Sequence, residues 1–215
     1  MIQNEKRFHR EAKIEVKVLD VIKEQDADGS NACVHMLDYF VFRNHLCITF
    51  EMHHNDLYTE LKAGGFVGFT NDHVQTITED TLKCLELLHL NGIVHADLKP
   101  ENMVLSKPNS RSVTVIDFGS SCYMYAHQKV HTYIQSRYYR APEIMLGLGY
   151  RTPIDMWSLG CIMVELTTGS PISPAKNEQE LMVLQTEILG VPPAHLLECG
   201  TRTDESFKLC STTGY

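Results

Sequence analysis

Apolar residues recur at helical spacing almost from the start of the chain. Over Glu5–Lys23, Phe8, Ala12, Glu15, Leu19 and Ile22 fall within one narrow arc at 3.6 residues per turn, which predicts an amphipathic helix. A carboxylate, Glu15, stands in the middle of that stripe. Either it lies at the rim and reaches water, or it is buried and needs a cation or hydrogen-bond donors to offset its desolvation. After the turn-forming run Asp26-Ala27-Asp28-Gly29-Ser30-Asn31, two apolar segments, Val34–Phe42 and Leu46–Phe50, are joined by Arg43-Asn44-His45 and predict an antiparallel strand pair.

Thr70 is placed to cap a long helix with Val74, Ile77, Thr81, Cys84, Leu85 and Leu88 on one face, and Gly92 is placed to end it. Two short apolar runs, Met103–Leu105 and Val113–Ile116, flank the loop-like Ser106–Ser112 and predict a hairpin. From there to Arg140 the chain is polar and aromatic, the pattern of an ordered functional loop. Ile154–Leu166 is apolar on nearly every side, so a helix buried in the centre of its lobe is expected. A further helix begins near Asn177, with Glu180 in a capping-box-like position and Leu181, Leu184 and Ile188 inward. From Glu198 onward there is little pattern, and no internal repeat or low-complexity tract interrupts the chain.

Composition narrows the class. A chain of 215 residues, 43% apolar and 21% charged, can bury one sizeable core. Its net charge of -8 argues against a nucleic-acid partner, because a phosphate-neutralising surface needs clustered Lys and Arg. Seven cysteines form no CxxC pair, so neither a zinc knuckle nor a disulfide framework is expected, only reduced and mostly buried thiols. Met1–Arg10 is charged and no apolar run approaches bilayer length, which predicts a soluble intracellular protein with no membrane partner.

The chemistry concentrates after the long helix. Asp97, Lys99 and Asn102 stand close together, and Asp117 lies just past the hairpin's second strand, so hairpin geometry brings all four to one place. Phosphoryl transfer needs a carboxylate to accept the hydroxyl proton, a cation near the moving phosphoryl group, and two hard oxygen ligands for magnesium. Asp97, Lys99, Asn102 and Asp117 supply these in order.

The run His95-Ala96-Asp97-Leu98-Lys99-Pro100-Glu101-Asn102, followed by Asp117-Phe118-Gly119 and then Ala141-Pro142-Glu143, resembles the protein-kinase signature set in order and spacing. Finer features, Phe42–Cys47, Asp117–Cys122 and Tyr133–Arg140, resemble the dual-specificity tyrosine-regulated kinases. Ala96, and the stretch from Leu189-Gly190 through Leu196-Leu197 with Gly200-Thr201-Arg202-Thr203, is more similar to the neighbouring homeodomain-interacting kinases.

This resemblance implies an α+β, protein-kinase-like bilobal fold, with 1–52 a remnant of the upper lobe up to the start of the hinge and 53–215 a mostly helical lower lobe. It implies an ATP- and Mg2+-dependent Ser/Thr kinase acting on proteins near proline, with tyrosine autophosphorylation. Asp97 and Lys99 are then catalytic, and Asn102 and Asp117 hold metal. Glu15, Phe50, Glu51, His53, Val104 and Asp117 serve ATP, with Phe50 as the gatekeeper of the hinge Phe50-Glu51-Met52-His53. Asp155 and Trp157 are structural anchors.

Ala96 replaces an arginine that in many kinases holds an activation-loop phosphate. Tyr133 with Arg137 and Arg140 supplies an alternative, since guanidinium groups suit phosphate; the bland counterpart is a packing tyrosine and arginines paired with Asp or Glu. At His131 the chain departs from the Tyr-x-Tyr pair of the tyrosine-regulated family. The Gly-rich loop and the strand lysine that would pair with Glu15 do not occur in this sequence; Gly64-Gly65-Phe66-Val67-Gly68 follows the hinge and cannot act as that loop. By resemblance Met1-Ile2-Gln3-Asn4 begins just past that lysine, and Tyr215 comes before the last lower-lobe helices, so a fragment truncated at both ends is expected, with apolar surface left open on the upper helix. The competing function is an idle kinase fragment acting as a protein-binding module. The expected compartment is cytoplasmic, nuclear or both.

Overall fold

The computed structural model describes residues 6–43, 45–124 and 133–208, with side chains from residue 13 onward. The stripe of Leu19 and Ile22 becomes helix α1 (Lys6–Gln25), two residues longer at its end than the periodicity predicts; both side chains are fully buried with Val18. Phe8 and Ala12 lie outside the described side chains. The turn that follows is closed by Asp26, whose buried carboxylate accepts from Asn31 N (3.0 Å) and Nδ2 (2.7 Å) and faces His35 Nε2 at 2.9 Å.

Strands β1 (Met36–Phe42) and β2 (His45–Phe50) pair antiparallel, with Phe40 opposite Cys47. The first begins later than the expected Val34, because Val34 N donates to Val115 O (3.0 Å) and Val115 N to Ala32 O (2.8 Å). That pair of bonds ties the upper segment to the lower lobe. Asn44 lies outside the described residues.

Helix α2 (Leu57–Ala63) was not anticipated: its apolar residues are few, and its signal is the cap, Asp56, which accepts from Thr59 N (2.9 Å) and Thr59 Oγ1 (2.7 Å). Helix α3 (Asn71–Leu90) buries all six residues of its predicted face. The polar member, Thr81, satisfies its hydroxyl on Ile77 O at 2.7 Å. Thr70 stands at the cap position, but its side chain makes no capping bond.

Strand β3 (Ile93–Val94) leads into the motif region, and the expected hairpin follows as β4 (Met103–Leu105) and β5 (Val113–Val115). Strand β6 (Cys122–Tyr123) returns to pair with β3. Residues 125–132, including His131, are outside the described set.

The remaining helices are α4 (Pro142–Met145), α5 (Pro153–Thr168), α6 (Glu178–Leu189) and α7 (Ala194–Cys199). The α5 helix is central, but not covered on every side as its composition suggested: Met156 and Met163 are exposed. On α6, Asn177 is the cap, accepting from Glu180 N at 2.8 Å, and Leu181 faces in, whereas Ile188 is exposed and Met182 and Gln185 take the inner positions. The stretch after Glu198 is less featureless than its sequence suggests, since Thr203 buries its hydroxyl on Leu197 O (2.7 Å) and Arg202 pairs with Glu178 and Glu205.

One core joins α1, α3, the β4–β5 hairpin and α5 through Leu19, Ile22, Ile77, Leu88, Val115, Leu159 and Ile162. The described cysteines are free thiols, though only Cys33 and Cys84 are buried and Cys199 is exposed. Among the described residues no helix is long and apolar enough to cross a membrane.

Candidate active site

The site is built on one fully buried carboxylate. Asp155, in the first turn of α5, accepts from His95 N (2.8 Å) and Ala96 N (2.9 Å), with His89 Nε2 at 3.3 Å. Two successive N–H groups aimed at one acceptor force a sharp bend, and Ala96 takes up the left-handed φ of +66°. His95 braces the turn: its Nδ1 accepts from Asp97 N (3.2 Å), its Nε2 meets Ile116 O (3.2 Å), and its ring packs on Phe118 with centroids 5.2 Å apart.

Asp97 emerges half-buried from that turn with both carboxylate oxygens engaged. Lys99 Nζ reaches Oδ2 at 2.6 Å, and Ser136 donates its N–H (3.1 Å) and hydroxyl (2.7 Å) to Oδ1. Asn102 donates Nδ2 to Asp97 O at 2.9 Å, which leaves its side-chain carbonyl oxygen for other work. Ile116 N donates to Asn102 O (3.0 Å), so the residue that follows, Asp117, is delivered beside Asn102. Asp117 is exposed, at a left-handed φ of +65°. Four predicted residues are therefore brought together by the turn and hairpin.

The metal assignment passes a chemical test. Asn102 and Asp117 offer hard oxygens, which suit magnesium. Among the described residues no group of three or more His, Cys, Asp or Glu side chains converges, so the ion's remaining ligands would be water and nucleotide phosphate, its usual habit at such sites.

Glu15 lies over the same region. A side chain placed at Gly119 would meet the Glu15 carboxylate at 3.6 Å and that of Asp117 at 3.2 Å. Half-burial, and secondarily the charge of Asp117, push the Glu15 pKa up to about 7. Among the described residues no cation pairs with it. Half-buried, it is not a fully solvated rim residue, and among the described residues it is not one half of an ion pair.

Of the hinge residues, Phe50 closes β2 and is 36% exposed, Glu51 is exposed, and His53 is half-buried, its imidazole pKa lowered by that burial. The next segment is laced to β4 by His54 N to Leu105 O (3.3 Å) and Leu105 N to Asn55 O (3.0 Å), with Asp56 opposite Val104. Val104 itself is buried. This ladder fixes the segment after β2 beside β4, the strand that carries Val104.

A cavity of 640 Å³ opens beside Asp97, walled by Glu101, Tyr133, Arg137, Tyr139 and Glu165 among others. Tyr139 donates its hydroxyl to Glu165 Oε2 at 2.6 Å, and burial raises the pKa of that carboxyl. Tyr133 is 68% exposed and lies under the Arg140 guanidinium, 4.1 Å from its ring centroid. Hydrogen bonds from Arg140, and then from Arg137, hold its phenol pKa below the usual value.

The two arginines differ. Arg140 is buried and committed: it donates to Ile134 O (2.9 Å), Gln135 O (2.7 Å) and Glu178 Oε1 (2.7 Å). It is an architectural residue first, which the pairing alternative anticipated. Arg137 Nε is buried with no hydrogen-bond partner among the described residues. Sequence reasoning missed Ser136, Gln135 and Glu178. Ser136 and Gln135 stood inside the quoted Tyr133–Arg140 motif; Glu178 lies 38 residues beyond its partner Arg140, where no local pattern links them.

Comparison with known proteins agrees with this geometry. The Protein kinase domain family model matches residues 2–208. The chain is 50% identical over 207 residues to human dual specificity tyrosine-phosphorylation-regulated kinase 4, covering 96% of this chain and 39% of that protein. It is 50% identical over 202 residues to kinase 2 of the same name from Drosophila melanogaster, covering 94% of this chain and 28% of that protein. The same identity holds over 202 residues of the Mus musculus kinase 3, of which it covers 34%. The chain thus spans well under half the length of these relatives.

Proposed function

The chain belongs to the protein kinase domain family, and from that premise we propose that it serves to transfer the γ-phosphoryl group of ATP to serine and threonine hydroxyls of proteins, with autophosphorylation on Tyr133. One observation carries this reading: Asp97 is held by Ser136 and Lys99 while Asn102 and Asp117 present oxygens next to it. In this arrangement Asp97 accepts the proton of the incoming hydroxyl, and Lys99, already against it, neutralises charge on the moving phosphoryl group. Magnesium, when bound by Asn102 and Asp117, supplies charge neutralisation on the phosphates. Glu15, Phe50, Glu51, His53 and Val104 belong to the nucleotide side of the cleft.

A preference for proline after the acceptor residue is supported by the backbone at Gln135. Gln135 adopts a left-handed φ of +63°, and its carbonyl is taken by Arg140 at 2.7 Å. A substrate N–H arriving there finds that backbone acceptor occupied, whereas proline has no N–H to satisfy. A site of action in the cytoplasm, the nucleus or both goes with this reading.

A second reading, a non-catalytic binding module, is favoured by one feature: Glu15 faces Asp117 and pairs with no cation among the described residues. One experiment separates the two. The 215-residue chain is given ATP, magnesium and a Ser/Thr-Pro peptide set, alongside Asp97→Asn. Transfer that the substitution abolishes establishes the enzyme; ATP-independent peptide capture with no transfer in either chain establishes the module.

A further inference from the structure

Three serine or threonine residues of this chain stand directly before a proline: Thr152, Ser170 and Ser173. The fold treats them differently. Thr152 is half-buried at the head of α5, with right-handed helical backbone angles (φ −50°, ψ −28°), and Pro153 is the first residue of the helix. Its carbonyl accepts from Asp155 N at 3.0 Å, so drawing Thr152 out would unwind the turn that carries Asp155. Ser173 is only 3% exposed, and its carbonyl accepts from Ala175 N at 2.9 Å.

Ser170 is the exposed member, just past the end of α5 in the irregular segment 169–177. Its backbone is fastened by the Thr168 hydroxyl, which lies 3.3 Å from its N and 3.0 Å from its O. Its own hydroxyl makes no hydrogen bond among the described residues. Before it, Gly169 has a left-handed φ of +80°, and a Cβ there would strike Phe66 O, so the preceding position carries no side chain that a modifying enzyme must fit. After it, Pro171 lines the 640 Å³ cavity beside Asp97. On the reading above, a protein substrate enters by that cavity, so its rim is within reach of macromolecules.

We infer that Ser170 is a phosphoacceptor for a proline-directed serine/threonine kinase, and that phosphate there adds negative charge at the mouth of the cavity beside Asp97. Chemistry selects the acceptor as well as exposure. A residue before proline is biased toward extended backbone, and Pro171 offers no N–H that the modifying kinase would have to satisfy. In the transfer, Ser170 Oγ attacks the γ-phosphorus of ATP and the bond from that phosphorus to the β,γ-bridging oxygen breaks. ADP leaves, and the hydroxyl proton passes to the modifying kinase's general base. The product carries a charge of about −1.5 to −2 at neutral pH. The cavity wall already sets the carboxylates of Asp97, Glu101 and Glu165 against the guanidinium groups of Arg137 and Arg140, and Arg140 is committed to Glu178. Further negative charge at Ser170 favours substrates with Lys or Arg near the acceptor over acidic ones, a consequence that rests on the cavity being the substrate site.

The test uses the unsubstituted 215-residue chain, incubated with ATP and magnesium with and without an added proline-directed kinase, and maps phosphate by tandem mass spectrometry. The added kinase is one that modifies both serines of a free peptide spanning residues 165–178. The expected result in the folded chain is phosphate on Ser170 at about ten-fold or more the occupancy of Ser173 or Thr152, because reaching a buried residue requires local opening. A folded chain that takes no phosphate on Ser170, or takes it on Ser173 or Thr152 instead, overturns the inference. Peptide binding then tests the charge effect. At low salt the phosphorylated chain should bind a lysine-flanked Ser-Pro peptide about two- to five-fold more tightly than the unmodified chain does, and a glutamate-flanked one more weakly, with the difference lost in about 1 M salt. Equal affinities in the two forms overturn the charge effect. An unmodified chain that binds neither peptide refutes the substrate reading instead, while the mapped phosphate still decides the acceptor.

Discussion

Ser136 commits both its backbone N–H (3.1 Å) and its hydroxyl (2.7 Å) to one oxygen of Asp97. The other oxygen is left to Lys99, so the lysine cannot swing the carboxylate without breaking two bonds. Removing the hydroxyl with Ser136→Ala should lower kcat about ten-fold, the worth of one such hydrogen bond. The KM for ATP should not change, because Ser136 acts on Asp97 and not on the nucleotide side of the cleft. Ser136→Thr restores the donor and should restore most of the rate. Steady-state kinetics on the three chains decide it, and a KM effect without a kcat effect would refute the positioning role.

Asp155 holds the catalytic turn from beneath. With Asp155→Ala the N–H groups of His95 and Ala96, now at 2.8 and 2.9 Å from its oxygens, are left buried without acceptors. Each costs about 1–3 kcal/mol, so a loss of about 3–5 kcal/mol is expected. Asp155→Asn keeps one acceptor oxygen and should lose less. Urea unfolding measures both; a loss below about 1 kcal/mol in the alanine chain would show that water replaces the carboxylate.

The helices and strands that bury a periodic apolar face were legible from residues alone: α1, α3, the two hairpins and α6 all lie within a few residues of their expected bounds. What was illegible has a physical reason in each case. Helix α2 is short and is specified by a cap more than by a stripe. Gln185 and Met182, not Ile188, face inward on α6 because the tertiary partners Arg140 and Leu146 lie on that side. The candidate group of Asp97, Lys99, Asn102 and Asp117 was readable because it sits in short motifs, whereas the Arg140–Glu178–Arg202 bridge joins three distant segments. Of the two readings open for Arg140, a phosphate clamp or an arginine paired with Asp or Glu, the pairing has its partner in Glu178, which no local pattern could name.

Tyr133 is exposed, while Arg137 Nε near it is buried and has no partner among the described residues. A phosphate on Tyr133 would bring acceptor oxygens to the Arg137 guanidinium, its Nε–H included, forming one to three charge-assisted hydrogen bonds. Mass spectrometry of the purified chain should find phosphotyrosine that Tyr133→Phe removes. The phosphorylated form should melt roughly 2–8 °C higher, equivalent to about 1–2 kcal/mol in a chain of this size. Arg137→Gln should erase the difference. Identical melting of the two forms of the unsubstituted chain would assign the buried Nε to some other partner.

Glu15 makes stability depend on pH in a direction opposite to that of most carboxylates. Its pKa rises from 4.5 to about 7 in the folded chain, by burial first and the Asp117 charge second. Between those values the folded chain holds a proton that the unfolded chain has released, so stability is fully present below about pH 4.5 and declines as pH rises toward 7. Because the group is only half-buried, solvent screening reduces the effect to about 1–2 kcal/mol. Glu15→Gln cannot ionise and should lack that slope while matching the parent at low pH. Denaturant midpoints at pH 5 and pH 7.5, in magnesium-free buffer, test this. Equal slopes in the two chains would mean that Glu15 is ionised throughout, which would require a cation opposite it. A cation supplied there should in turn flatten the parent's slope, because pairing lowers the carboxyl pKa toward its unfolded value.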